Sequence, residues 1–266
     1  MPSQAKRQRK KESARARQEA LRLAQERAAR RRRFLLIGGA VVLILVILFL
    51  TQRSDNKKST VSTKGKTTTT VASPAGSAQC PKADGSSPKT TKFDKAPPVC
   101  ISITKKYTAT FDTSEGKIVV DLDTKKTPST TSNFVVLARY HFYDGTTIFR
   151  TDPSIDIIQG GGSSPSDPGP GYTIPDEGGK FTYSAGDLVM ARTSQPNSAG
   201  AQFFFVAGPK ASALDAQGTY VTFGKVKAGL DVVQKILSLN VDNPSSGLGG
   251  APSRPVTIKT VTITES

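Results

Sequence analysis

An unusual set of polar side chains lies in two segments near the middle of the chain. The segment FYDGTTIFRTDPSIDIIQGGG, residues 142–162, places Arg150 nine residues before Gln159. The segment LVMARTSQPNSAGAQFFFV, residues 188–206, carries Gln202 beside a run of phenylalanines. Neither segment has an acid pair set for acid–base work, a thiol, or a histidine beside a nucleophile, so hydrolytic chemistry is disfavoured. Hydrogen-bonding Arg and Gln side chains suit a reaction in which no covalent bond is made or broken.

These two segments resemble the signatures of the cyclophilins, the peptidyl-prolyl cis/trans isomerases. The resemblance is carried by FYDGT, the arginine and IQGG in the first segment, and by MA and QFF in the second. A third segment, Leu214-Asp215 followed by YVTFGKV at residues 220–226, is similar to the family's LDG–HVVFGKV. The three resemblances occur in register over residues 107–262. Together with the apolar segment at residues 34–50 described below, they suggest a bacterial, membrane-anchored form of the family.

The resemblance implies prolyl isomerisation of proline-containing polypeptides, with no cofactor and no metal. Arg150 is implied to donate a hydrogen bond to the prolyl nitrogen of the twisted amide. Gln159 is implied to bind a substrate carbonyl, and Gln202 to line the groove and help orient Arg150. Ala191 and Arg192 are implied to offer backbone contacts. The residues implied to form an apolar slot for the proline ring are Ile157, Phe204, Leu214 and Tyr220.

Two departures from the family pattern bear on turnover. The spacing from the arginine to QGG is one residue longer than usual, and DPS at residues 152–154 replaces an apolar turn. Ile155 or Asp156 therefore stands where the family has an aromatic residue. Ala213 occupies the position at which cyclosporin-sensitive members carry Trp. These departures leave an alternative open, a cyclophilin-fold module or chaperone that binds proline peptides with little turnover.

Short runs of β-branched and aromatic residues, bounded by Gly, Pro and Asp, predict strands in the C-terminal part of the chain. The predicted strands cover residues 108–111, 117–122, 187–191, 202–206, 221–226 and 257–263, and the predicted helices cover 129–140 and 230–237. Thr127 and Pro128 fit the N-cap and first turn of the first helix. This pattern favours a closed barrel or sandwich. The resemblance implies a mainly β domain over residues 101–266, an eight-stranded antiparallel barrel with two capping helices.

The N-terminal part of the chain carries most of its net positive charge. Of a net charge of +16, residues 1–33 hold thirteen Lys/Arg against three Glu. Residues 34–50, FLLIGGAVVLILVILFL, have no charged side chain and predict a single transmembrane helix over 34–51. The positive-inside rule places residues 1–33 in the cytoplasm as a tail against anionic lipid head groups. A nucleic-acid partner is disfavoured by that position, and a cleaved signal peptide by the long basic region.

Residues 52–100 are rich in Thr, Ser, Lys and Pro and predict a flexible stalk between the anchor and the domain. The two cysteines of the chain, Cys80 and Cys100, lie in this stretch. In an oxidising compartment an isolated pair predicts a disulfide, with two free thiols as the alternative. Two Cys and one distant His cannot fill a tetrahedral metal site. The expected localisation is the cell membrane, with an extracytoplasmic domain that assists protein folding.

Overall fold

The computed structural model describes residues 79–243 and 245–266. The predicted cytoplasmic tail (1–33), the predicted membrane anchor (34–51) and residues 52–78 of the predicted stalk lie outside the described residues. In the ranges that are described, no helix combines the length and the apolar character needed to cross a membrane.

Strands dominate the described part of the chain, which contains eleven of them, two α-helices and one 3-10 helix. The strands are β1 (Tyr107–Thr113), β2 (Gly116–Leu122), β3 (Thr147–Ile148), β4 (Arg150–Asp152), β5 (Ile157–Gly160), β6 (Asp187–Met190), β7 (Phe203–Val206), β8 (Thr222–Ala228), β9 (Asn240–Asp242), β10 (Gly250–Pro252) and β11 (Val256–Glu265). The helices are α1 (Pro128–Arg139) and α2 (Leu230–Ser238), and the 3-10 helix covers Pro209–Leu214.

The strands form one antiparallel sheet in the order β3-β11-β1-β2-β8-β6-β7-β5-β4-β10-β9. The sheet curls so that its first strand in this order, β3, approaches β5. An isolated bridge between Thr147 in β3 and Gly162 beyond β5 shows this approach. The N–H of Phe149 also donates to the carbonyl of Gln159 at 3.0 Å. The mainly β prediction is confirmed, but the sheet is a curled half-barrel of eleven strands rather than the expected closed barrel of eight. The additional strands have two to four residues each, too few to show an alternating pattern in the sequence.

The longer strands agree with the predicted ones because their side chains alternate between core and surface. In β1, Tyr107, Ala109 and Phe111 are buried, and the residues between them are partly exposed. The turn from β1 to β2 ends at Gly116, whose φ of 141° is a conformation that other residues rarely adopt. The hairpin then pairs Phe111 with Ile118 across the two strands.

The interior of the curled sheet is packed with aromatic rings. Phe134 of α1 stacks on Tyr143 at 5.1 Å between centroids, and lies 5.7 Å from Phe111 of β1 and 6.1 Å from Phe203 of β7. All four side chains are fully buried. Tilted and edge-to-face aromatic pairs contribute about 0.5–1.5 kcal/mol each beyond the area they bury. This cluster fixes β7, the strand that contains the predicted site residue Phe204 and directly follows Gln202.

Helix α1 begins where it was predicted, but its first turn is capped differently. Thr127 makes no capping hydrogen bond, since its Oγ1 donates instead to the carbonyl of Asp123 at 3.2 Å. The carboxylate of Glu177 accepts from the N–H groups of Ser129 at 3.3 Å and Thr130 at 2.5 Å. A carboxylate at this end also complements the helix dipole. The capping role that the sequence assigned to Thr127 therefore belongs to a residue from a distant loop.

Residues 79–106, here the N-terminal segment, lie along the folded domain. The part of the predicted flexible stalk from residue 79 to residue 100 is therefore held by the domain. The N–H of Cys100 donates to Oγ of Ser132 in α1 at 2.8 Å, and the hydroxyl of Tyr140 donates to the carbonyl of Gln79 at 2.8 Å. Cys80 and Cys100 form a disulfide whose Cα atoms are 5.4 Å apart. Composition alone suggested a stalk up to residue 100, because amino-acid composition gives no information about backbone hydrogen bonds to a helix elsewhere in the chain.

Candidate active site

A groove of about 580 Å³, here the central groove, opens on the face formed by β4, β5 and the ends of β6 and β7. All nine residues predicted to act in catalysis or substrate binding line it. They are Arg150, Ile157, Gln159, Ala191, Arg192, Gln202, Phe204, Leu214 and Tyr220. These residues span seventy positions of the chain, and the curled sheet brings them to one surface.

Arg150 lies in β4 directly opposite Gln159 in β5. Its Nη1 donates to Oε1 of Gln159 at 2.9 Å, its Nη2 to Oδ2 of Asp152 at 2.8 Å, and its Nε to the carbonyl of Leu248 at 2.5 Å. A guanidinium has five N–H donors, so one on each Nη has no partner within the described chain. The side chain is 17 % exposed, which leaves these donors accessible from the groove.

Asp152 holds the guanidinium in place and was not predicted as a site residue. It lies two positions after Arg150 in β4, and side chains two apart project from the same face of a strand. Burial would raise the pKa of Asp152, but hydrogen bonds from Ser154 and from Arg150 outweigh it and hold that pKa below its usual range. Asp152 is therefore an anion at neutral pH, and its charge is paired with the arginine.

The additional residue between Arg150 and Gln159 is accommodated in the turn between β4 and β5. Asp156 adopts a left-handed conformation with φ of 50°, and its Oδ2 accepts from the N–H of Lys210 at 3.0 Å. Ile155 is partly buried and lines the central groove. The position that the sequence left undecided between these two residues is thus occupied by the apolar one.

Three amide and guanidinium side chains form a directed hydrogen-bond chain across the floor of the groove. Because Arg150 can only donate, Oε1 of Gln159 must be the acceptor and its Nε2 a donor. That Nε2 donates to Oε1 of Gln202 at 3.0 Å, and Nε2 of Gln202 approaches the carbonyl of Pro165 at 3.3 Å. Gln202 thus acts on Arg150 through Gln159, which fixes the orientation of both amides.

An apolar slot lies beside Arg150, formed by Ile155, Ile157, Phe204, Leu214 and Tyr220. The rings of Phe204 and Tyr220 meet edge to face, with centroids 5.7 Å apart. Phe204 is 3 % exposed, so it belongs to the core and still presents an edge to the groove. A flat, preformed slot of this kind suits a small saturated ring.

Arg192 contributes more than the backbone contact predicted for it. Its Nε donates to the carbonyl of Thr219 at 3.2 Å, and its Nη1 donates to the carbonyl of Gln195 at 2.9 Å. Its guanidinium also lies over the ring of Tyr220, 5.5 Å from the centroid. The side chain thereby supports one wall of the slot. The N–H of Ala191, the other predicted backbone contact, already donates to the carbonyl of Gln202 at 2.9 Å.

The opposite wall of the central groove is the wall loop, residues 163–173, which contacts the N-terminal segment. The N–H of Phe93 donates to the carbonyl of Pro170 at 2.8 Å, and Nζ of Lys92 donates to that of Gly169 at 2.6 Å. The ring of Phe93 lies 6.1 Å from that of Tyr172. Burial raises the pKa of Tyr172, so its hydroxyl stays neutral and donates to Oδ1 of Asn133 at 2.7 Å.

Three residues that contribute to this site were not predicted from the sequence, and only one of them could have been found from a local pattern. The i, i+2 spacing in a strand could have revealed Asp152 as a neighbour of Arg150. Leu248 is 98 positions away, and no local pattern connects it with the arginine. Phe93 lies in a stretch whose composition suggested a stalk. Asp152 and Leu248 constrain the guanidinium of Arg150, which lines the same groove as the apolar slot. This arrangement can stabilise charge that develops beside an apolar ring.

Comparisons with known proteins bear on the family and the fold of this chain. The family model described as cyclophilin-type peptidyl-prolyl cis-trans isomerase matches residues 108–263. A peptidyl-prolyl cis-trans isomerase of Acinetobacter baylyi is 36 % identical over 159 residues, which cover 57 % of this chain and 82 % of the relative. A Streptomyces antibioticus peptidyl-prolyl cis-trans isomerase is 34 % identical over 164 residues, covering 59 % of this chain and 98 % of the relative. A crystal structure of a Cryptosporidium parvum cyclophilin-type isomerase resembles the fold with a TM-score of 0.50 at 24 % identity, over 60 % of this chain and 98 % of that one.

Proposed function

This chain belongs to the cyclophilin-type peptidyl-prolyl cis/trans isomerases, and we propose that Arg150 supplies the hydrogen bond that accelerates the isomerisation. The enzyme rotates X-Pro peptide bonds in polypeptides. The observation that carries the proposed role is the state of the guanidinium. Three of its five N–H donors are held by protein groups, and the other two have no partner within the described residues, on a side chain that lines the central groove together with the apolar slot.

The proposed mechanism follows from the electronics of the amide. Rotation about a peptide bond meets a barrier of about 18–20 kcal/mol, because the nitrogen shares its lone pair with the carbonyl. In the twisted state the lone pair is localised on the prolyl nitrogen and can accept a hydrogen bond. A guanidinium is a permanent donor of fixed shape, so Arg150 stabilises this state without any proton transfer. The gain is electrostatic and depends on the donor being held in position beforehand.

The other groove residues hold the substrate while the bond rotates. Nε2 of Gln159 uses one N–H for Gln202, and its second N–H is available to a substrate carbonyl. The proline ring enters the slot at Phe204 and Tyr220, where burial fixes the ring against rotation. The acyl side of the bond is then the part that turns. Ile155 replaces the aromatic side chain of the family in this slot and retains an apolar surface.

We further propose that the enzyme is a single-pass membrane protein whose catalytic domain lies outside the cytoplasm and assists the folding of extracytoplasmic proteins. Residues 34–50 are long and apolar enough for a span, and Arg30 to Arg33 favour a cytoplasmic N-terminus next to anionic lipids. The Cys80–Cys100 disulfide supports this location, because such bonds persist in oxidising compartments. Unfolded polypeptides crossing the membrane carry the X-Pro bonds that need isomerisation.

Two measurements test the location. In cells whose outer envelope admits protease, added protease is expected to release or degrade the domain. Non-reducing mass analysis is expected to show a disulfide between Cys80 and Cys100. Full protection of the domain, or two alkylatable thiols in native material, would contradict an extracytoplasmic domain. The catalytic proposal is tested separately by the arginine variants described at the end of the Discussion.

A further inference from the structure

A second groove of about 580 Å³ continues the central groove beyond Arg150. Three residues, Arg150, Pro165 and Leu248, line both grooves, so the two are contiguous. The second groove is otherwise formed by Phe149 and by residues in and next to the β9–β10 hairpin, namely Val241, Asp242, Asn243, Ser246, Gly250, Ala251, Pro252 and Ser253. None of the residues predicted from the sequence, apart from Arg150, contributes to it.

Two large apolar side chains are exposed at this groove. Val241 is 56 % and Leu248 50 % exposed, and across the described residues only Val99 and Ile103 are exposed large hydrophobics besides them. An isolated exposed side chain is ordinary, whereas apolar side chains that converge on one groove mark a binding surface. Here two of the four lie on the same groove, next to the catalytic arginine.

The β9–β10 hairpin is attached firmly to the strand that carries Arg150. Gly250 of β10 pairs with Thr151 of β4, and Oγ1 of Thr151 donates to Oδ1 of Asn240 at 2.6 Å. The carbonyl of Leu248 accepts from Nε of Arg150. The hairpin therefore presents its apolar side chains in a defined position relative to the reacting bond.

We propose that the second groove is a substrate subsite that binds an apolar side chain of the same polypeptide, a few residues from the isomerised proline. This proposal rests on the function assigned to the central groove. An extended chain whose proline occupies the slot can continue past Arg150 over Leu248 and into the second groove. Each extended residue advances the chain roughly 3.3 Å, so side chains two to four residues from the proline come within reach.

The charges at this groove define the preference further. The charge of Arg150 is balanced by Asp152, and the remaining charged residue of the groove is Asp242. Acidic side chains at the subsite are therefore repelled, while apolar ones gain from contact with Val241 and Leu248. The subsite selects clients with a large apolar residue on one side of the proline.

The test is a positional scan with the full-length protein in detergent. Peptides with one proline in a Gly/Ser background carry a single Leu, Ser or Asp at each of four positions on either side of the proline. Exchange NMR gives KM and kcat for each peptide. Leu is expected to lower KM roughly tenfold at one or two positions on one side only, with Ser intermediate and Asp weakest. A scan in which Leu has no positional effect overturns the proposal.

Two variants connect the preference with the groove. Val241→Asp is expected to reduce the KM ratio of the Ser and Leu peptides to about one. Val99→Asp is the matched control, since Val99 is 58 % exposed, lies in the N-terminal segment, and is expected to leave the ratio unchanged. Retention of the preference in Val241→Asp, or an equal loss in Val99→Asp, contradicts the assignment. If the subsite proposal is wrong, KM does not depend on the position of Leu while kcat stays normal. If the catalytic proposal is wrong, the Arg150 variants turn over the Ser peptide at nearly the rate of the parent.

Discussion

Nη2 of Arg150 lies 2.8 Å from Oδ2 of Asp152, and both residues belong to the three-residue strand β4. The carboxylate is 9 % exposed, so the pair is largely shielded from water. Asp152 belongs to the DPS segment that distinguishes this chain from the usual family pattern. The altered segment thus supplies an anchor for the guanidinium to which we assign the catalytic hydrogen bond, and the longer spacing is compatible with an ordered site.

Removal of this anchor is expected to lower activity while Arg150 is still present. Asp152→Asn keeps the shape of the side chain but loses its charge, so the guanidinium becomes free to move. A displacement of about 1 Å at a reacting centre can cost roughly 100-fold, and we expect a loss of about 10- to 100-fold in kcat/KM. Exchange NMR on an X-Pro peptide measures it, with Asp112→Asn on the outer surface of β1 as the control. Unchanged kcat/KM in Asp152→Asn would show that Asp152 does not position the arginine.

The residues that could be read from the sequence are those within short motifs. Arg150, Gln159 and Phe204 were predicted because each lies in a local pattern. Leu248 reaches Arg150 only after the β9–β10 hairpin has folded onto β4, a contact between residues 98 positions apart. Thr127 met the rules for an N-cap, but Glu177 occupies that role because of tertiary folding. Long-range packing, rather than local preference, decided both cases.

The contact of Phe93 with the wall loop predicts an effect on substrate binding. Phe93→Ala removes the ring that lies against Tyr140 and Tyr172, and is expected to let the wall loop move. KM should rise by up to about tenfold with kcat nearly unchanged, an effect smaller than that expected from misplacement of the Arg150 guanidinium. Measurements well below Tm separate this from unfolding, and Val99→Ala is the control in the same segment. An unchanged KM in Phe93→Ala would mean that the wall loop holds its position alone.

The disulfide is expected to stabilise the domain through the N-terminal segment. Cys80 and Cys100 are 20 positions apart, and closing a loop of this length contributes roughly 3 kcal/mol, mainly by restricting the unfolded chain. The Cys80→Ser/Cys100→Ser double variant should therefore unfold at lower denaturant concentration, with an m-value equal to or slightly above that of the parent, because the unfolded chain without the cross-link is less compact. Equilibrium unfolding under oxidising and reducing conditions tests this. Identical midpoints for the double variant and the oxidised parent would contradict a structural role for the bond.

Acid sensitivity should arise in part from Glu265. The hydrogen bond from Arg139, followed by that from Lys105, lowers the pKa of Glu265 from 4.5 to about 2. Because the folded-state pKa is depressed, the stabilisation is complete above about pH 4.5 and is lost as the pH falls towards 2. Glu265→Gln should lower Tm by about 2–4 °C at pH 7, the shift caused by roughly 1 kcal/mol in a domain of this size. This Tm difference should disappear near pH 2, and a difference independent of pH would exclude the carboxylate as its source.

The role of Arg150 is tested most directly by comparing the turnover and peptide binding of Arg150→Ala with those of the parent. If the guanidinium binds the prolyl nitrogen only in the twisted state, kcat should fall about 100- to 1000-fold, with little change in peptide affinity. Arg150→Lys should recover little, since an ammonium lacks the planar fork, whereas Phe204→Ala should weaken binding and rate together. Arg254→Ala, which removes an arginine paired with Glu115 outside the groove, serves as the control. A kcat in Arg150→Ala within a few-fold of the parent would contradict the account and favour a proline-binding module with little turnover.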